Sequence, residues 1–194
     1  MDYSLLVGGW TVYFVLHSLL AARRVKQAAE QILGRGFRFY RLGYSLLSIT
    51  GLVALLVFSD RISAPYYFSP EGIIRYVSAG LTMFGVILIQ LALRQYGLMG
   101  FLGFKPEVKG FRRDGILDWI RHPIYSGLIL VAIGLFLLIP KQPMLITCLF
   151  ILIYIPAGMW LEERKLVEEF GDEYKDYKKE VPALIPRWSR LMGG

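Results

Sequence analysis

The sequence predicts an all-α integral membrane protein with five transmembrane helices, the N-terminus outside and the C-terminus cytoplasmic. Three observations predict it. Hydrophobic residues make up 55% of the 194, and the 20 glycines raise the apolar fraction to about 65%, against roughly 45–50% in soluble domains. The apolar residues gather into five runs of about the length that crosses a bilayer. Basic residues collect in alternate connections between those runs. This composition excludes a disordered chain, a collagen-like chain and an ordinary soluble domain. A single cysteine, Cys148, excludes a disulfide framework.

A helix that crosses the hydrocarbon core needs roughly 20 apolar residues. Residues 3–22 form the first run, with His17 its only strongly polar interior residue. Residues 42–59 form the second. Residues 73–93 form the third, interrupted by Arg75 near one end and Gln90 near the other. Residues 124–139 form the fourth and carry no charge. Residues 144–161 form the fifth, which contains Pro156. Only Pro140, Lys141, Gln142 and Pro143 separate the last two runs, so these helices form an antiparallel hairpin. The shorter runs fit a thin or tightly packed bundle.

The charges orient the bundle. A signal peptide carries its basic residues before the apolar core. Here Asp2 precedes the first run, and Arg23, Arg24 and Lys26 follow it. Basic residues number six in the first connection, one or two in the second, six in the third, one in the fourth and seven in the tail. Such alternation is the positive-inside pattern of five spans with an outside N-terminus. The net charge of +7 is then a topology signal and requires no nucleic-acid partner. Anionic lipid head groups at the first connection remain an open alternative.

Chemistry has two places to sit. Segments 94–123 and 162–194 both lie on the cytoplasmic side and both abut the hairpin, so they meet at its mouth. The first segment ends in Arg121-His122-Pro123-Ile124-Tyr125-Ser126-Gly127. Pro123 suits the first turn of a helix, and a helix N-terminus attracts a carboxylate or phosphate. Arg121 and His122 precede that turn, and Tyr125 stands one turn in. The same residue types also serve as plain interface anchors. The second segment opens with Glu162 and Glu163, expected at the end of the last apolar helix. Carboxylates oppose the helix dipole there and are costly at membrane depth unless paired. The open alternatives are a partner, Arg121 or a cationic ligand, and a helix that simply continues into solvent.

Beyond them, Leu166, Phe170, Tyr174, Tyr177 and Val181 recur at spacings of 4, 4, 3 and 4, one apolar and aromatic stripe on a helix. Gly171 is positioned to bend or break that helix, and Pro182 and Pro186 end it. Its mixed charge fits a lid folded over the hairpin mouth better than a helix on anionic lipid. His17 is read as a structural residue, although an intramembrane histidine is also a functional candidate. Gln90 is expected to hydrogen-bond between helices, and Cys148 to pack in the core. No Walker loop, zinc-ligand spacing or Ser–His–Asp arrangement is present, and no metal is expected.

The stretch from Gly115 through Arg121-His122-Pro123-Ile124-Tyr125 to Gly127, then Glu162-Glu163, then Phe170-Gly171-Asp172-Glu173-Tyr174, with Val181-Pro182 after it, resembles the isoprenylcysteine carboxyl methyltransferase family. That family belongs to a wider group of membrane methyltransferases that includes phospholipid methyltransferases. The likeness covers about half the chain and looks closest to small prokaryotic five-span members. It implies an enzyme that uses S-adenosyl-L-methionine on the cytoplasmic face of a prokaryotic cell membrane or of the endoplasmic reticulum. Residues 94–194 would form the cofactor-binding core, behind three helices and a basic loop in residues 1–93. His122, Pro123, Ile124 and Tyr125 would line the cofactor site. Lys109, Gly110, Phe111, Arg112 and Leu117 would contact it, partly through backbone. Leu117 stands where family members often have tyrosine. Glu163, with Glu162, would hold the amino group or ribose. Arg121, His122 and Glu163 would be the catalytic set.

The residues suit that cofactor. A helix N-terminus with Arg121 and His122 suits its carboxylate, Glu163 its ammonium, and Tyr125 its sulfonium or base. The implied acceptor is a prenylated or otherwise lipid-linked cysteine carboxylate entering from the bilayer. Such a nucleophile needs no base. A phospholipid amine would need one, from His122 or a glutamate. Two other readings are a nicotinamide-dependent reductase of the sterol reductase type and a small transporter without enzymatic activity. The Glu162-Glu163 pair departs from the first, and nearly charge-free spans depart from the second.

Overall fold

The computed structural model describes residues 2–97 and 110–186. Its elements are α1 (Asp2–Ala21), α2 (Arg23–Leu33), α3 (Phe37–Arg61), α4 (Ile73–Tyr96), α5 (Pro123–Leu138), α6 (Gln142–Phe170) and α7 (Asp172–Glu180). Among the described residues there is no strand. Four helices (α1, α3, α4 and α6) are long and apolar enough to cross a membrane, and α5 is a shorter apolar helix. These match the five expected runs in order.

Two boundaries differ from expectation. The first basic connection is not a loop: α2 occupies most of it. Good helix formers (Lys26, Gln27, Ala28, Ala29, Gln31) fill its interior, and Gly34, at a φ of 48°, ends it. No residue of α2 is buried. The second correction matters more. α6 does not stop near Leu161 but runs 29 residues, through Pro156, to Phe170. At 1.5 Å per residue it is about 43 Å long, beyond the roughly 30 Å of a hydrocarbon core. Glu162 and Glu163 therefore lie inside a continuous helix and not at its end. The break comes at Gly171, whose φ of 58° favours glycine, and α7 turns back from it.

Glycine brings α4 and α5 together. A Cβ on Gly127 would lie 2.6 Å from the Gly85 carbonyl oxygen, and one on Gly134 would lie 2.3 Å from the Thr82 hydroxyl. Ser78 bridges the same pair by donating to the Gly134 carbonyl at 2.8 Å. Small residues at an apolar helix interface allow this backbone approach. Gln90, expected to bridge helices, is instead exposed and makes no hydrogen bond among the described residues. Its neighbour Ile89 takes the contact with Gly127.

A buried polar thread ties α1, α6 and α3. The fully buried Trp10 indole donates to the Thr147 hydroxyl at 3.0 Å, and Thr147 donates to Ser59 at 3.0 Å. Leu6, Trp10, Ile62, Ala132, Cys148, Ile151 and Ile155 form the core around it. Cys148 packs as expected. At the far end of the hairpin the Tyr67 amide donates to the Pro140 carbonyl at 2.7 Å.

This packing predicts an asymmetry between glycines. Gly127→Ala should cost about 1–3 kcal/mol by overpacking, read as a lower unfolding midpoint in detergent. Gly8→Ala, where an added Cβ meets nothing within 4 Å, should leave the midpoint unchanged.

Candidate functional site at the hairpin mouth

Local sequence places the first wall. After α4, the Arg112 guanidinium donates to the Gln95 carbonyl. Gly115, at a φ of 61°, sits where a Cβ would collide with the Gln95 side chain, and a short turn over Gly115–Asp118 follows. Leu117 is buried in that turn. Its carbonyl accepts a hydrogen bond from the Tyr177 hydroxyl. Burial pushes the Tyr177 phenol up to about 12, so it stays protonated and remains a donor.

The segment after α7 passes over the start of α5. The Arg121 and His122 amides donate to the carbonyls of Pro182 and Ala183, each at 3.0 Å. The Ser126 hydroxyl donates to the Leu184 carbonyl at 2.7 Å. Pro123 occupies the first turn of α5 as expected and is fully buried.

Four ionisable groups meet beneath this cover. Glu163, 16% exposed, faces Arg121 at 2.9 Å, Lys178 at 2.6 Å and the His122 Nε2 at 3.1 Å. Arg121 also donates to the Lys178 carbonyl at 2.7 Å. His122 is only 3% exposed, and its Nδ1 stands 3.7 Å from Glu162. Three cationic or potentially cationic groups thus share one carboxylate, which ties α5, α6 and α7 at a single point.

Beside this cluster is a pocket of about 130 Å³. Phe111, Leu117, Arg121, Glu162, Phe170 and Tyr174 contribute to its lining. The ring of Phe111 stands 5.4 Å from Phe170, 5.6 Å from Tyr174 and 5.0 Å from Tyr177. The stripe read from sequence is therefore one cluster, split over the end of α6 and α7. Burial also pushes the Tyr174 phenol up. Its hydroxyl and the Arg121 Nε are buried and have no hydrogen-bond partner among the described residues.

The two glutamates do different things. Glu163 is occupied by protein cations and does not line the pocket. Glu162 does line it and keeps 42% of its side chain exposed. Of the other expected residues, Gly110, Phe111, Arg112, Leu117 and Arg121 line the pocket. His122, Pro123, Ile124 and Tyr125 do not line it. Lys109 lies outside the described residues. Sequence reasoning did not assign Tyr96 to the site. It is the last residue of α4 and lines the pocket, and nothing in its local sequence singles it out. Leu166, Phe170, Tyr174 and Tyr177 were visible only as a lid stripe, yet they are pocket wall.

The pattern of the family described as NnrU protein matches residues 5–194. A methanethiol S-methyltransferase 2 from Bradyrhizobium diazoefficiens is 28% identical, over 91% of this chain and 70% of its own. A methanethiol S-methyltransferase from Pseudomonas deceptionensis is 36% identical, over 46% of this chain and 33% of its own. A protein-S-isoprenylcysteine O-methyltransferase from Schizosaccharomyces pombe is 38% identical, over 38% of this chain and 31% of its own. The chain thus spans about a third or less of the length of most of the curated relatives it matches. No solved structure matches it.

The charge cluster and the pocket predict separable effects. Glu163→Gln leaves Arg121 and Lys178 without their counter-charge, at a cost of about 1.5–3 kcal/mol. Trypsin should then cut faster at Lys175, Lys178 and Lys179. Glu162→Gln should leave that cleavage rate unchanged.

Proposed function

This chain belongs to the NnrU protein family, and from that premise we propose that it is an integral membrane methyltransferase that uses S-adenosyl-L-methionine. The observation that carries the reading is the donor set around the pocket. Glu162 offers a carboxylate to an ammonium. Arg112 and Arg121 offer guanidinium groups to a carboxylate. Tyr96, Phe111, Phe170, Tyr174 and Tyr177 offer aromatic faces to a base or sulfonium. The unpartnered Tyr174 hydroxyl and Arg121 Nε are spare buried donors for the same ligand. The cofactor would supply an activated methyl group, and everything else falls to the protein.

Its residues bind, orient and exclude water. Glu163, Arg121, His122 and Lys178 hold α7 over the pocket, so Glu163 acts by positioning and Glu162 by contact. Closure by α7 removes water from around the reacting centre, which strengthens electrostatic interactions there. Holding donor and acceptor in line accounts for much of the rate. The positive charge on alternate connections supports a cytoplasmic mouth, reached by the cofactor from water and by the acceptor from lipid.

The acceptor is read as the carboxylate of a prenylated or otherwise lipid-linked cysteine. A thiol is the second reading, favoured by the methanethiol S-methyltransferase whose likeness extends over 91% of this chain.

Calorimetric titration of the detergent-purified protein with S-adenosylhomocysteine tests the reading. Binding is expected, and Glu162→Gln should weaken it about 10- to 100-fold. Absence of binding by the intact protein would sink the proposal. A labelled-methyl assay comparing a farnesylated cysteine, methanethiol and phosphatidylethanolamine then separates the carboxylate, thiol and amine acceptors.

A further inference from the structure

The helix between the first two spans has no part in the pocket. α2 has 11 residues, about 16 Å at 1.5 Å per residue, against the roughly 30 Å of a hydrocarbon core, so it does not cross a bilayer. One residue, Ala22, joins it to α1, and the short turn Gly34–Gly36 joins it to α3. The Tyr40 hydroxyl donates to the Leu20 carbonyl at 2.7 Å, which closes the start of α3 on the end of α1. Lys165 of α6 donates to the Ala21 carbonyl at 3.0 Å, and Arg23 pairs with Glu168 at 3.3 Å. These bonds hold α2 beside the end of α1, on the same side of the molecule as Glu162 and the pocket.

α2 is amphipathic. Val25, Ala28, Ala29, Ile32 and Leu33 recur at i, i+3, i+4, i+7 and i+8, which is one face of a helix. Arg24 and Lys26 flank that face, each about 100° from Val25. The opposite side carries Arg23, Gln27, Glu30 and Gln31. The protein does not cover the apolar face. Ile32 is 81% exposed, and Val25, Ala28 and Leu33 are exposed as well. Beyond the turn, Phe39 is also exposed, with the Arg38 guanidinium over its ring at 4.7 Å.

Tether and charge together select what covers this face. Both ends of α2 are tied to membrane spans, so the bilayer surface is always within reach. Residues 23–41 hold six basic side chains and one acid, Glu30. Arg23 has Glu168, but Arg24, Lys26 and Arg35 form no ion pair among the described residues. A helix with one apolar face and basic flanks suits an interface. Its long basic side chains reach from the edge of the apolar face to the head groups, and each strengthens attraction to an anionic leaflet roughly fivefold. A second copy of the chain paired through the same face would set these positive charges against their own kind.

We propose that α2 lies in the plane of the membrane interface on the side that carries the pocket, with Val25, Ala28, Ile32 and Leu33 among the head groups and upper acyl chains and Arg24, Lys26 and Arg35 on anionic phospholipid head groups. The inference needs the membrane spans and not the methyltransferase reading.

The test uses the full chain in nanodiscs of phosphatidylcholine mixed with phosphatidylglycerol. Spin labels are placed one at a time at Ile32→Cys and Gln27→Cys in a Cys148→Ala background. The label at 32 is expected to meet oxygen dissolved in the lipid and to be shielded from a water-soluble nickel complex. The label at 27 is expected to show the reverse. Spin-labelled phosphatidylglycerol and phosphatidylcholine then report the lipid held by the chain with its own cysteine in place. Phosphatidylglycerol is expected to be held preferentially, and replacing Arg24, Lys26 and Arg35 together by glutamine should reduce that preference at least about fivefold. Glutamine keeps helix propensity, so the loss reports charge and not folding. A label at 32 open to nickel, or spin–spin broadening there from a second copy, would overturn the proposal. So would a phosphatidylglycerol preference that is absent, or one that the triple substitution leaves unchanged.

Discussion

One carboxylate organises the working end of this molecule. Glu163 sits on α6, mostly buried, and takes Arg121, Lys178 and His122 as partners. A buried charge is tolerable only when paired and hydrogen-bonded. Here the pairing draws from three separate elements, so neutralising the charge also brings them together. The segment before α5, the helix α6 and the cap α7 are brought together by the same constraint. The backbone bonds from Arg121 and His122 to Pro182 and Ala183 then lay the covering segment in place.

The neighbouring carboxylate follows from this. Successive residues on a helix point about 100° apart, so adjacent glutamates face different neighbours. With Glu163 turned into the charge cluster, Glu162 faces the pocket and Tyr125. One glutamate is held by three protein groups and the other lines the pocket. The aromatic wall belongs to the same arrangement, because α7 can bury Tyr174 and Tyr177 against Phe111 only while the cluster holds it down.

Much of the fold was legible. The five apolar runs appear as helices in the expected order, because length and apolarity are what a bilayer demands of any span. The hairpin of α5 and α6 followed from a four-residue link. The stripe from Leu166 to Val181 foretold a cap, since its spacing puts those side chains on one face. Less of the site was legible. Glu162 and Glu163 were expected where apolar character stops, with an Arg121 partner or a helix continuing past them as the alternatives, and both occur. The α6 helix continues because a helix needs no lipid to persist once its caps and partners lie further on. Tyr96 carried no signal at all, and Gln90, which looked like an interhelical donor, faces outward. Both outcomes depend on how α4 rotates against α5, and that rotation is fixed by glycine contacts on the partner helix.

The sequence by itself determined the class of molecule, the number and order of the apolar helices, and which segments meet at the mouth of the hairpin. These are properties of single segments, set by apolar length, charge and periodicity. Only the tertiary structure decided which glutamate is held by the charge cluster and which lines the pocket, which aromatics line it, and that His17 meets Tyr44 and Ser48. Those are properties of juxtaposition. They arise when side chains from separate helices must neutralise one another's charge and fill one another's space, and no local pattern encodes that outcome.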